Sequence, residues 1–200
     1  MSQTRAPRKS LTRAMAVAGA VVLASAALAG CSGRSSGGNG QNFVSGEGGV
    51  QSYPRGDRKA APDLTGKSLQ GKQVDVSDYR GDVVVINVWG SWCGPCRAEA
   101  KHLRQVAEDT ADKGVKFVGL NTRDPDPANA LAFERTYKIT YPSIYDPYGK
   151  LVARFKSIPP KGIPSTIILD RDGKVAARSL IALNADELHS ALDPVIAEKA

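Results

Sequence analysis

The spacing of apolar and polar positions changes several times along this 200-residue chain, and each change marks an element. An Ala/Val/Leu run from Ala14 to Leu28 comes first, preceded by Arg5, Arg8, Lys9 and Arg13. A cationic head before an apolar stretch this short fits an export signal over residues 1–30 better than a membrane span. From Ser32 to about Lys59 the periodicity gives way to Gly and Ser, a composition that cannot bury enough surface to fold. Residues 31–60 are therefore expected to be a flexible tether, about 30 Å root-mean-square in reach. Order is expected from Ala61 to the C-terminus.

Within 61–200 the first signal is alternation around Val74 and Val76 with turn residues at Gly66 and Gly71, which predicts a short hairpin. "DVVVINVWG" is a continuous run of strand formers, expected for a central strand buried on both faces. A helix to about Asp112 should follow, then a second buried strand from Val115 to Thr122. Asp126-Pro127 opens a helical pattern carrying Leu131, Ala132, Phe133 and Tyr137. "SIY" suggests a short strand. In "DPYGKLVARFK" Asp146 and Pro147 suit a helix start, while Leu151, Ala153 and Phe155 alternate like a strand, and both readings stand. "STIILD" and "KVAARSLI" flank the turn Arg171-Asp172-Gly173 as a hairpin. A last helix places Leu188, Ala191, Leu192 and Val195 on one side, with Pro194 as a point of kinking. This order of elements predicts an α/β fold with a mixed central sheet, an N-terminal β-hairpin extension and flanking helices.

Charge alters the picture little. Of the formal +7, four cations and no acid precede Cys31, so a chain cleaved there keeps +3. That is too mild a balance to point to nucleic acid. The end of the apolar run, Leu28-Ala29-Gly30-Cys31, resembles a bacterial lipobox. The resemblance implies cleavage before Cys31, a thioether-linked lipid on its sulfur and anchorage outside the cytoplasm at the cell membrane. A plain export signal with an incidental cysteine is the alternative; no paired arginines support twin-arginine export.

The remaining cysteines stand together in "GSWCGPCRAEA". A strand leads in and a helix leads out, so Cys93 falls at a helix N-terminus, where free N–H groups and the dipole stabilise a thiolate. Pro95 suits the first turn, and Trp92 would shield one side. Cys96 lies one turn in, placed to attack a mixed disulfide formed on Cys93. Haem attachment would require a histidine after the second cysteine, and Arg97 stands there. Zinc would need two further ligands, and His102 and His189 lack a ligand-like spacing. Neither a metal nor a cofactor is expected.

"NVWGSWCGPCRAE" and "GIPSTIILDRDGKV" resemble the two signature segments of the thioredoxin-like TlpA/ResA family of exported thiol-disulfide oxidoreductases. The similarity covers roughly Ala61 to the C-terminus. It implies that Cys93 attacks and Cys96 resolves, with Gly94 and Pro95 facing the substrate beside Trp92. It further implies that Pro164 is a cis-proline facing the disulfide, with the Ile163 backbone open to a substrate peptide.

Cytosolic thioredoxin keeps a buried aspartate on the central strand; this chain has Asn87, which cannot take a proton. Glu99 is the compensating candidate. Helical spacing puts Cys96, Ala100, Leu103 and Ala107 on the inward stripe, with Glu99 beside it and Arg97, Lys101, Arg104 and Glu108 outside. A half-buried carboxylate there should have a raised pKa and accept the resolving thiol's proton, a role the family credits to an acid at this place. A first-turn glutamate favoured by the helix dipole is the plainer alternative.

A Gly-Pro pair between the cysteines is associated with a potential near about −270 mV, which favours a reductase served by a membrane electron donor. Disulfide-containing exported proteins are the expected clients, with apocytochrome c suggested by the family. An oxidase or isomerase of secreted proteins is the alternative enzyme. A peroxidase reading lacks the Pro-x-x-x-Thr-x-x-Cys context, and a copper-binding lipoprotein would lose Met1 and Met15 with the signal.

Overall fold

The computed structural model describes residues 44–45, 49–156 and 162–198. The expected export signal, the lipobox with Cys31 and most of the tether lie outside the described residues. Contacts group Gln41–Ala200 as one compact unit.

Strand β5 (Val83–Trp89) is buried at every position, as its unbroken apolar run requires. Helix α1 (Gly94–Asp109) leads to β6 (Val115–Thr122), which pairs with β5 in parallel. Helix α2 (Pro127–Tyr137), capped by the Asp126 carboxylate, leads to β7 (Ser143–Asp146), parallel to β6. On the other side β8 (Ser165–Leu169) runs antiparallel to β5, and β9 (Val175–Ser179) antiparallel to β8. The β8–β9 turn is held by Asp170, whose Oδ1 accepts the Asp172 and Lys174 N–H groups, with Gly173 at φ 69°. Helix α3 (Ala185–Ile196) closes the fold behind a capping box between Asn184 and Glu187, and Pro194 lies inside it.

Order begins earlier than the composition suggests. Residues Val50–Ser52 (β2) pair antiparallel with β9, and Val44–Ser45 (β1) with β2. Among the described residues the sheet therefore has seven strands, in the order β1-β2-β9-β8-β5-β6-β7. Arg58 fastens this extension: its guanidinium meets Asp170 at 3.0 Å and Glu198 at 2.6 Å. Val50–Ser52, which have no periodicity of their own, take their backbone partners from the edge of β9.

Alternate residues of the sheet feed two cores. Val83, Val85, Phe117 and Ile168 face Leu103 and Val106 of α1 and Leu188, Leu192 and Val195 of α3. Val84, Ile86, Val118 and Ile167 face Leu64, Val74, Leu151 and Phe155. The second face is thus covered by the expected hairpin, β3 (Thr65–Lys67) with β4 (Gln73–Asp75), and by the segment after β7. That segment is neither the helix from Pro147 nor the strand its spacing allows. Asp146 instead accepts three backbone N–H groups, from Lys150, Leu151 and Val152, and winds a tight turn into a 3-10 turn at Val152–Arg154. α1 likewise ends at Asp109 rather than Asp112, with a separate 3-10 turn at Ala111–Lys113.

Candidate active site

Strand directions bring three segments to one end of the sheet. β5 and β6 are parallel, so the loops leaving them, Gly90–Trp92 and Arg123–Asp124, emerge side by side. β8 runs the other way, so the segment entering it arrives at that same end, with Ser165 opposite Val88. Ligand sites of parallel sheets collect at such carboxyl ends.

Cys93 is the N-cap of α1 and is joined to Cys96 by a disulfide. The Cys96 N–H donates to the Cys93 sulfur at 3.2 Å, one of the free amides that would stabilise a thiolate. Both sulfur-bearing residues are buried in the disulfide form, Cys93 at 4% and Cys96 at 1% exposure. What separates them is position: Cys93 caps the helix and Cys96 lies in its first turn. Gly94 and Pro95 are exposed beside them.

The Ile163–Pro164 bond is cis, and Ile163 packs against the cluster that holds Cys93, Cys96, Trp89 and Phe133. Trp92 is 48% exposed, and its Nε1 donates to the Arg123 carbonyl at 3.0 Å.

The buried stripe of α1 runs through Cys96, Glu99, Ala100, Leu103 and Val106, with Ala107 only partly buried. Glu99 is more deeply placed than half-buried, at 1% exposure. Its Oε1 accepts the Asn87 side-chain N–H at 2.8 Å and its Oε2 accepts the Leu183 N–H at 3.2 Å. Burial pushes its pKa up to about 7, against the two hydrogen bonds that favour the carboxylate. Asn87 therefore orients the acid rather than replacing it. A cavity of about 10 Å³ between Cys96, Asn87 and Tyr141 is near the lower limit for one water. The Tyr141 phenol is held protonated, chiefly by burial and then by Glu99 and Glu134.

Spacing along the sequence does not reveal Asp124. This residue, 1% exposed, accepts the Ser91 N–H at 2.8 Å, the Ser91 hydroxyl at 2.5 Å and the Asn121 side chain at 2.7 Å. It fixes the turn that delivers Trp92 and Cys93. A polar residue just past the strand neighbouring the cysteine strand is the signal that marks it.

A dithiol at the start of a helix leaving the central strand, with a cis X-Pro bond just before the neighbouring antiparallel strand, places the molecule among the thioredoxin-like folds. Residues 58–178 match the AhpC/TSA family, and the chain belongs to it. It is 31% identical over 117 residues to the thiol-disulfide oxidoreductase ResA of Bacillus thuringiensis subsp. konkukian, covering 58% of this chain and 65% of that protein. The chain thus spans just under two thirds of the length of the first curated relatives it matches. Among solved structures, a DsbF homologue from Corynebacterium diphtheriae is 36% identical with a TM-score of 0.70, covering 78% of this chain and 99% of that one. The secreted thiol-disulfide isomerase of Corynebacterium glutamicum is 34% identical with a TM-score of 0.72, covering 81% and 100%.

Proposed function

We propose that this chain is an extracytoplasmic protein thiol-disulfide oxidoreductase that works as a reductase from a lipid anchor at Cys31. The observation that carries the redox reading is the Cys93–Cys96 disulfide at the start of α1, beside the cis Ile163–Pro164 bond. In the reduced enzyme the Cys93 thiolate attacks one sulfur of a client disulfide. The client S–S bond breaks, a mixed disulfide forms, and the departing client sulfur takes a proton. Cys96 then gives its proton to Glu99 and attacks the Cys93 sulfur; the mixed disulfide breaks, the intramolecular disulfide is restored, and the second client sulfur leaves as a thiolate that takes a proton from solvent. Two electrons pass to the client, and a membrane donor returns them. With a pKa near 7, Glu99 can accept and release that proton under ordinary conditions.

Similarity to ResA supports the oxidoreductase reading, and the Gly-Pro pair supports the reducing direction. Apocytochrome c thiols are the client class that the family resemblance suggests. The Corynebacterium relative described as an isomerase favours a second reading, isomerisation of secreted proteins. Peroxidase chemistry is disfavoured because Ile86 and Gly90 stand where the Pro-x-x-x-Thr-x-x-Cys pattern has Pro and Thr.

Trapping tests the reading: a Cys96→Ser variant in cells should accumulate mixed disulfides through Cys93, and their identity names the clients. Absence of adducts that a Cys93→Ser control also lacks would contradict it. For the anchor, Cys31→Ser should abolish lipid labelling and release the protein from the membrane fraction; an unlabelled wild type would reject it.

A further inference from the structure

Two guanidiniums border the dithiol loop, and among the described residues neither has a carboxylate within ion-pair distance. Arg97, one turn past Cys93, folds back so that it donates to the Ser91 carbonyl at 3.0 Å. Its second terminal nitrogen lies 3.7 Å from where a Cβ on Gly94 would stand, beside the exposed part of the motif. Arg123 holds its guanidinium carbon 5.0 Å from the Trp92 ring centroid, with its backbone at φ 57°. Arg55, Arg58 and Arg104 meet carboxylates, while Arg154 and Arg171, like Arg97, donate to backbone carbonyls. The acids nearest Arg123 in sequence are engaged elsewhere: Asp124 holds Ser91 and Asn121, and Asp126 caps α2. A left-handed backbone in a non-glycine residue is unfavourable, and here it keeps the Arg123 carbonyl on Trp92 while its side chain covers the exposed indole.

From this we infer that Arg97 and Arg123 form a charge-selective rim, and that the preferred clients carry Asp or Glu next to the cysteine that Cys93 attacks. The inference rests on the oxidoreductase reading and names its substrate class. A client disulfide reaching Cys93 brings its flanking side chains to these two groups. Guanidinium is a planar donor suited to carboxylate and only weakly hydrated, so it can exchange water for a client acid readily. A client lysine in the same place would meet two like charges. The exchange itself is unaltered: one S–S bond breaks, one forms, and the two electrons come from the dithiol.

The test uses the full-length chain, reduced with dithiothreitol and freed of it, and three synthetic peptides. Each peptide carries one disulfide flanked by Glu, Gln or Lys. Second-order rates are divided by those of 2-mercaptoethanol on the same peptides, which removes differences in intrinsic reactivity. At about 20 mM salt the Glu peptide should react about two- to tenfold faster than the Lys peptide, and the gap should close by about 0.5 M. In Arg97→Gln/Arg123→Gln the ratio of Glu to Lys rates should fall toward one. Equal or reversed ratios in the wild type, or a ratio untouched by the double substitution, would overturn the rim. Failure of all three peptides to exchange would overturn the oxidoreductase reading together with it.

Discussion

Burial moves the carboxyl of Glu99 toward neutral pH. Its pKa is raised to about 7 because desolvation outweighs the hydrogen bonds from Asn87 and Leu183. The stability consequence has a definite sign. The folded state binds the proton more tightly than the unfolded chain, so the contribution is full below about pH 4.5 and lost as pH rises toward 7. That loss is of order 3 kcal/mol, and Glu99→Gln should remove it, which urea unfolding of the disulfide form at several pH values would measure. In the reduced form Glu99→Gln should leave attack by Cys93 near its wild-type rate and slow resolution by Cys96; unchanged thiol titration and resolution would take Glu99 out of the mechanism. Asp124 works differently, as an acceptor for three donors. Asp124→Asn offers one acceptor oxygen in place of two, leaves a buried donor unpaired, and should lower stability by about 1–3 kcal/mol in denaturant titration.

Among the elements, close approach matters as much as pattern. Gly119 lies midway along β6, and a Cβ there would collide with the Ser143 hydroxyl and come within 2.8 Å of the Trp89 indole nitrogen. Gly119→Ala should therefore lower the unfolding free energy by about 1–3 kcal/mol, with a smaller thermal shift expected only if β7 can move aside. The long apolar runs of β5 and β6, the capped helices and the β8–β9 turn are legible in the sequence because local spacing and turn residues dictate them. β2 is not, because "VQS" has no period of its own and becomes a strand only beside β9. The same division runs through the site. Cys93, Cys96 and the inward face of Glu99 follow from spacing within one helix, and Pro164 from resemblance. Asp124 to Ser91 and Glu99 to Leu183 join residues 33 and 84 positions apart, which no local window relates.

At the scale of the molecule, the two ends of the folded unit are tied to one another beside the sheet, away from the cysteines. Arg58 bonds Asp170 and Glu198, and Arg171 donates to the carbonyls of Ile196 and Glu198 at the end of α3. Arg58→Ala leaves a nearly buried Asp170 without its cation and should cost about 2–4 kcal/mol, read from chemical denaturation, while the potential of the distant dithiol stays within a few millivolts. Whether Cys93 and Cys96 form a reducing dithiol is read by equilibrating the protein with dithiothreitol or glutathione buffers and following tryptophan fluorescence. One reversible two-electron transition is expected, about 30 mV per tenfold change, with its midpoint at about −270 mV. A midpoint near that of the strong oxidants, about −120 mV, or the absence of a two-electron transition, would contradict it.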